Sequence, residues 1–97
     1  MDKILFVLII VGGLQINSNL ILQTMNINEK IGEKIQQLRN QKSFSIEHLA
    51  NIADIDRNYL SDIEKGKRNV SLVVLEKIII ALELDFSVFF NDENFKR

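Results

Sequence analysis

The sequence contains no cysteine and no proline, and it has only four glycines and one histidine. Without cysteine, neither a disulfide framework nor a thiolate metal site can form. The scarcity of glycine and proline argues against a turn-rich β fold and favours helices. His48 has no second histidine at HExxH spacing, and neither a glycine-rich phosphate loop nor a nucleophile–base pair stands out. We therefore predict a protein without enzymatic activity, metal or cofactor.

Charge is nearly balanced but unevenly placed. The net charge is −1 over 97 residues, so the chain has no global basic footprint for nucleic acid. Residues 30–77 carry nine Lys/Arg against seven Asp/Glu, whereas residues 83–93 carry four acids and no base. Any nucleic-acid surface is therefore expected in the middle of the chain.

The first segment is strongly apolar and short. Residues 4–14 read ILFVLIIVGGL, and a membrane-spanning helix needs roughly 20 apolar residues. Three interpretations stay open: a signal or anchor, an arm that packs on a partner, or an upstream extension with the natural start at Met25. We favour the extension and expect neither a membrane protein nor a secreted one, but a cytoplasmic protein. The predicted organisation is an extension over 1–25, a domain over 26–92 and a polar tail over 93–97.

Apolar residues at helical spacing, preceded by good N-caps, predict a compact all-α domain of five helices. The first helix is expected to end near Gln41 and the fourth near Leu84. Asp54 is expected in the left-handed conformation between the second and third helices, and Gly66 suits the end of the third. The predicted caps are Asn28, Ser45, Asp56, Ser71 and Ser87.

Two short helices joined by a tight turn form a helix-turn-helix. Its inward positions are apolar, namely Leu49, Ala50, Ala53, Ile55, Leu60 and Ile63. The outward positions of its second helix hold side chains that can read base edges in a major groove: Arg57, Asn58, Ser61 and Asp62. Because Asp62 would repel phosphate, it is either a cytosine reader or a specificity filter. Taken alone, this face could also be an ordinary solvated helix surface.

Basic and polar residues surround the predicted reading helix, where a DNA backbone would run. They are suited to phosphate contacts, which set register rather than sequence. Tyr59 could instead cover the core, and the basic run could be merely solvated. The predicted phosphate-contacting residues are Ser45, Tyr59, Lys65, Lys67, Arg68 and Asn69.

The stretch IEHLANIADIDRNYLSDIEKGKRNVSLVVLEKIIIAL resembles the Cro/phage-repressor type helix-turn-helix, or XRE family. It is especially similar to the small controller proteins of restriction–modification systems. The resemblance implies five short helices and a dimeric regulator of transcription that binds operator DNA. It also implies a structural pair between Arg39 and Glu64. Two positions depart from the family pattern: Ile46 stands where glutamine is common, and Asp54 where glycine is preferred.

The fourth predicted helix carries two apolar stripes, which indicates two partners. Leu72, Leu75, Ile79 and Leu82 are assigned to the core. The second stripe and the aromatics that follow are assigned to a homodimer interface: Val73, Ile80, Leu84, Phe86 and Phe89. The alternative is that residues 1–24 cover this patch.

The predicted function is a sequence-specific regulator that binds double-stranded DNA as a homodimer on a palindromic operator. Alternatives are an antitoxin or phage-type repressor, and a protein-interaction module tethered by the apolar segment.

Overall fold

A computed structural model of the chain describes residues 25–96. Residues 1–24 and Arg97 lie outside this range, and so do the predictions for the apolar extension. The described part is all-helical, as predicted, and contains no strand. None of its helices has both the length and the apolar character needed to span a membrane. The elements are α1 (Ile27–Gln41), α2 (Ile46–Ala53), α3 (Arg57–Glu64), α4 (Leu72–Ala81), α5 (Phe86–Phe90) and a 3-10 helix (Glu93–Phe95).

Each α-helix begins with a side chain that accepts a hydrogen bond from a backbone N–H of its first turn. The predicted caps Ser45, Asp56 and Ser71 are confirmed for α2, α3 and α4. Such caps satisfy N–H groups that have no partner within the helix. The first residue of each of these three helices is therefore determined by the local sequence.

Two predicted caps are wrong by two residues. Helix α1 is capped by Asn26 rather than Asn28, because Glu29 bonds back to the Asn26 N–H and completes a reciprocal capping box. Helix α5 is capped by Asp85 rather than Ser87, whose hydroxyl donates to the Asp85 carboxylate at 2.8 Å. The N–H of Val88, followed by the Ser87 hydroxyl, lowers the pKa of Asp85.

The four longer helices end in the same way, with one left-handed residue and a backbone bond across the turn. The left-handed residues are Ser43, Asp54, Gly66 and Glu83, with φ between 57° and 74°. The residue after each donates its N–H to the carbonyl five positions earlier, as in the Schellman motif. After α1, α2 and α4 that residue is Phe44, Ile55 or Leu84, and each packs against the core. Helix ends and core packing are thereby coupled.

The core lies between α1 to α4 and is closed by Phe89 of α5. One assignment on α4 is wrong, because Leu72 is 75% exposed. Ile78, which was not assigned, is fully buried in the core. The predicted end near Leu84 is also wrong, since α4 ends at Ala81 and the chain turns at Glu83.

Helices α1 and α3 touch backbone to backbone at Gly32. A Cβ atom added there would lie 2.3 Å from the Ile63 carbonyl oxygen. Only glycine allows the two helices to lie this close, so Gly32 sets the distance between α1 and α3.

The chain after α5 is not a simple polar tail, which corrects the predicted boundary at residue 92. Phe95 packs against the core and meets Phe90 edge-on at 4.8 Å between ring centres. Asp92 accepts from Lys34 of α1 at 2.6 Å. A hydrogen bond from the Asn94 N–H, followed by the Lys34 ammonium, lowers the pKa of Asp92.

Candidate nucleic-acid interface

Helices α2 and α3 meet in the tight turn that a helix-turn-helix requires. Asp54 has φ 57° and ψ 50°, and the Ile55 N–H donates to the Ala50 carbonyl at 3.0 Å. Ala50 and Leu60 are buried in the core. The small Ala50 side chain lets the helices approach closely, so α3 is held with one face inward and the other outward.

The outward face of α3 carries the four residues predicted to read bases. Arg57 and Asn58 are exposed in the first turn, and Ser61 and Asp62 are half-buried in the second. Leu60, Ile63 and Glu64 turn inward. The structure therefore brings the four predicted residues onto one helix, with the most exposed pair at its N-terminal end.

The basic exit from α3, called here the exit loop (residues 65–69), is held at both ends. Gly66 has φ 74°, and the Lys67 N–H donates to the Asp62 carbonyl at 3.0 Å. At the far end, the Asn28 side chain donates to Asn69 Oδ1 at 2.6 Å. Lys65, Lys67 and Arg68 are exposed between these ties. The Asn69 side-chain oxygen anchors the loop to α1, and the contact of Asn69 with phosphate stays a prediction.

Two other predicted phosphate contacts also have structural partners. Ser45 Oγ accepts from the His48 N–H at 3.0 Å as the cap of α2, which leaves its hydroxyl proton for an outside acceptor. Tyr59 packs partly against the core, and the Arg68 guanidinium lies 4.8 Å from the centre of its ring. Tyr59 thus joins core and surface.

Both arginines of this surface have a carboxylate beside them. Arg57 Nε lies 3.9 Å from Glu47 Oε2 of α2, and Arg68 Nη1 lies 3.9 Å from Asp62 Oδ2. Glu47 was not among the predicted site residues. Its negative charge and its position on the neighbouring helix α2 were the signals from which a contact with Arg57 could have been predicted.

Arg39 of α1 and Glu64 at the end of α3 form a two-pronged ion pair. Arg39 Nε and Nη2 donate to the two Glu64 oxygens at 2.7 and 3.0 Å. Arg39 Nη1 also donates to the Phe44 carbonyl at 2.8 Å. Both side chains are nearly buried, so the pair ties the inner end of α3 to α1 and to the following turn.

The residues predicted for a dimer interface divide into two groups. Val73 and Ile80 are 66% and 63% exposed. Leu84 and Phe86 are half-buried against their own core. The prediction for Phe89 is wrong, because its side chain is fully buried and closes the core. Leu72 and Val88, which were not predicted for the interface, are also exposed, so exposed apolar residues lie on both α4 and α5.

The described residues offer no arrangement suited to metal chemistry. Among them, no group of three or more His, Asp or Glu side chains is placed to hold a metal ion. His48 packs edge-on against Phe44, with ring centres 4.6 Å apart.

Comparison with known proteins places this geometry in a family. The helix-turn-helix family profile matches residues 35–89. Control protein C.MunI of a Mycoplasma species is 47% identical over 68 residues, which cover 69% of this chain and 92% of that protein. Control protein C.BamHI of Bacillus amyloliquefaciens is 46% identical over 80 residues, which cover 75% of this chain and 99% of that protein.

A solved structure shares the fold. The restriction–modification controller protein C.Esp1396I, crystallised as a tetramer with its natural 35 base-pair operator, has a TM-score of 0.65 and 35% identity. The match covers 68% of this chain and 87% of that one. The chain belongs to the helix-turn-helix family that includes the control proteins of restriction–modification systems.

Proposed function

We propose that this chain binds operator DNA as a homodimer and regulates transcription of the genes of a restriction–modification system. The observation that carries the proposal is the outward face of α3, where Arg57 and Asn58 stand exposed beside a basic exit loop. The scaffold beneath this face is tied down by the Arg39–Glu64 pair. The arrangement therefore presents polar side chains on a rigid helix, as sequence reading requires.

In this proposal α3 enters the major groove with its N-terminal end leading. Arg57 and Asn58 can then make two-pronged contacts with guanine and adenine. Lys67 and Arg68 lie beyond the helix, where they contact phosphates and set the register. Regulation needs no chemical step, because occupancy of the operator blocks or recruits the polymerase. The site of action is the cytoplasm, where the DNA lies.

The apolar surface of α4 and α5 supports the dimer. Val73 and Ile80 are exposed on the face of α4 opposite its buried residues. Two copies joined there by a two-fold axis would present two α3 helices about 34 Å apart, to successive major grooves. A palindromic operator follows from that symmetry. The operator-bound tetramer of C.Esp1396I supports assembly on DNA for this chain as well.

The proposal is tested by selecting bound sequences from a pool of random duplexes. Affinity for the selected duplex and for a scrambled one is then measured across a salt series. We expect Arg57→Ala to weaken binding to the selected duplex by about 1–3 kcal/mol and to relax the sequence preference at one base pair. Lys67→Ala should weaken binding to both duplexes and lower the slope of log affinity against log salt concentration by about one. Lys96→Ala, which removes an exposed lysine outside the helix-turn-helix, is the control.

A protein that selects no sequence and shows no salt-dependent affinity for duplex DNA would contradict the proposal. The regulated system is tested separately by the neighbouring genes. A restriction endonuclease or methyltransferase gene beside this one is expected, whereas a toxin gene would indicate an antitoxin.

A further inference from the structure

The Arg68 side chain lies against two residues of α3. Tyr59 and Asp62 stand three positions apart, so they are neighbours on one face of the helix. The Arg68 guanidinium lies 4.8 Å from the Tyr59 ring centre and 3.9 Å from the Asp62 carboxylate. Arg68 therefore folds back from the exit loop onto the proposed reading face.

The backbone fixes this position. The Lys67 N–H donates to the Asp62 carbonyl, and the Asn28–Asn69 bond holds the other end of the exit loop. Arg68 can thus change the direction of its side chain while its Cα stays in place. The side chain can point either to Asp62 or outward to a phosphate.

The Asp62–Arg68 pair contributes little to the fold. The two side chains are 40% and 54% exposed, and no hydrogen bond joins them. Exposed pairs of this kind are strongly screened by solvent. The pair matters more for DNA, because a carboxylate on a DNA-facing helix repels every phosphate that approaches it.

We propose, on the basis of the proposed function, that Asp62 is the specificity-determining residue of α3 and acts by exchanging partners. In the free protein its carboxylate lies beside the Arg68 guanidinium. On cytosine at the facing base pair, the N4 amino group donates to Asp62, and Arg68 turns outward to a phosphate. On guanine or thymine, whose polar atoms in the major groove only accept hydrogen bonds, releasing Arg68 leaves Asp62 unpaired against the DNA. On adenine, the N7 acceptor beside the amino group disfavours the carboxylate. Asp62 thereby weakens binding to generic DNA more than binding to the operator.

Asp62→Asn tests this, with Glu93→Gln as the control. The control also removes one carboxylate of a surface ion pair, but on the 3-10 helix, outside the helix-turn-helix. Affinities are measured for the selected duplex and for a random pool, each across a salt series. We expect Asp62→Asn to raise affinity for the random pool and to reduce discrimination on the order of tenfold. The salt slope on the random pool should rise by about one, because Arg68 becomes available to phosphate.

Two further measurements isolate the exchange. Repeating the selection with Asp62→Asn should move the preference at one base pair per half-site from cytosine to adenine, which asparagine reads. In an Arg68→Ala background, Asp62→Asn should lose its effect on the salt slope. The exchange alone would be overturned if Asp62→Asn changed the affinities for both DNAs equally, as is expected for Glu93→Gln. It would also be overturned if Asp62→Asn still changed the salt slope in the Arg68→Ala background. Failure of the wild-type protein to bind duplex DNA would overturn the proposed function with it.

Discussion

Two ion pairs of similar chemistry differ in burial, and burial decides what each contributes at the scale of single residues. The side chains of Arg39 and Glu64 are 11% and 4% exposed. Those of Lys42 and Glu83 are 33% and 79% exposed, and their charges lie 3.3 Å apart. Removing one partner of a buried pair leaves the other without its hydrogen bonds, whereas an exposed partner is solvated by water.

Arg39→Ala is therefore expected to lower the free energy of unfolding by roughly 1–3 kcal/mol. Lys42→Ala, the control, should change it by less than about 0.5 kcal/mol. Urea unfolding of both variants measures the two values. Similar small changes in both would show that the Arg39–Glu64 pair does not hold α3 in place.

At the scale of secondary structure, the close contact of α1 and α3 makes Gly32 irreplaceable. Alanine favours a helix interior over glycine by about 1 kcal/mol. The added Cβ would nevertheless lie 2.3 Å from the Ile63 carbonyl oxygen and 2.7 Å from that of Glu64. Backbone atoms cannot move aside alone, so α3 would have to shift.

Gly32→Ala is accordingly expected to destabilise the domain by a net 1–3 kcal/mol, roughly the cost of overpacking. Gln36→Ala, at an exposed position of the same helix, should be close to neutral. The measurement is the urea midpoint of each variant. A stabilised Gly32→Ala variant would mean that helix propensity outweighs the contact between the helices.

The elements were largely predictable because their start signals are local. Caps such as Ser45 and Asp56 act on the next three residues, and a sequence displays that spacing directly. The Asn26 cap was also readable, since Glu29 stands three positions later, but Asn28 competes for the same role. The end of α4 was not readable, because Glu83 adopts a left-handed conformation without being glycine.

The inward face of α4 was harder to predict for a different reason. Its sequence is apolar except at Glu76 and Lys77, so periodicity alone does not fix which residues face inward. For this reason Leu72 was wrongly assigned to the core and Ile78 was missed. On α3 polar and apolar residues alternate at helical spacing, and the outward set was assigned from sequence. The contact of Arg68 with Asp62 was not predicted, because it forms when the chain folds back after α3.

At the scale of the whole molecule, one ion pair joins α1 to the segment after α5. Asp92 bonds the Asn94 N–H and the Lys34 ammonium, which lower its pKa from 3.8 in the folded state. A group whose pKa is lower in the folded state than in the unfolded state stabilises the fold at pH values above its unfolded-state pKa. This stabilisation is lost as the pH falls through its folded-state pKa. Asp92→Asn should therefore destabilise the domain near neutral pH.

The difference in unfolding free energy between wild type and Asp92→Asn should narrow as the pH falls below 3.8. Denaturant titrations at several pH values measure it. A constant difference down to acid pH would show that the Asp92 charge does not contribute.

The apolar surface of α4 predicts the assembly state. Ile80 is 63% exposed in one chain, and an unpaired charge placed there would be buried in a dimer at a cost of several kcal/mol. Ile80→Asp should sediment as a monomer with an unchanged helical circular dichroism spectrum. A wild-type protein that is already monomeric at micromolar concentration would refute the interface.

The absence of proline has a consequence for how fast the chain reaches its native state. The slowest common step in folding is isomerisation of the bond before a proline, which takes tens of seconds. This sequence has none of these bonds, and every α-helix in residues 25–96 carries its own start signal. Small helical domains with such local contacts refold within microseconds to milliseconds. A slower phase whose rate rises with protein concentration would then report the association of two chains.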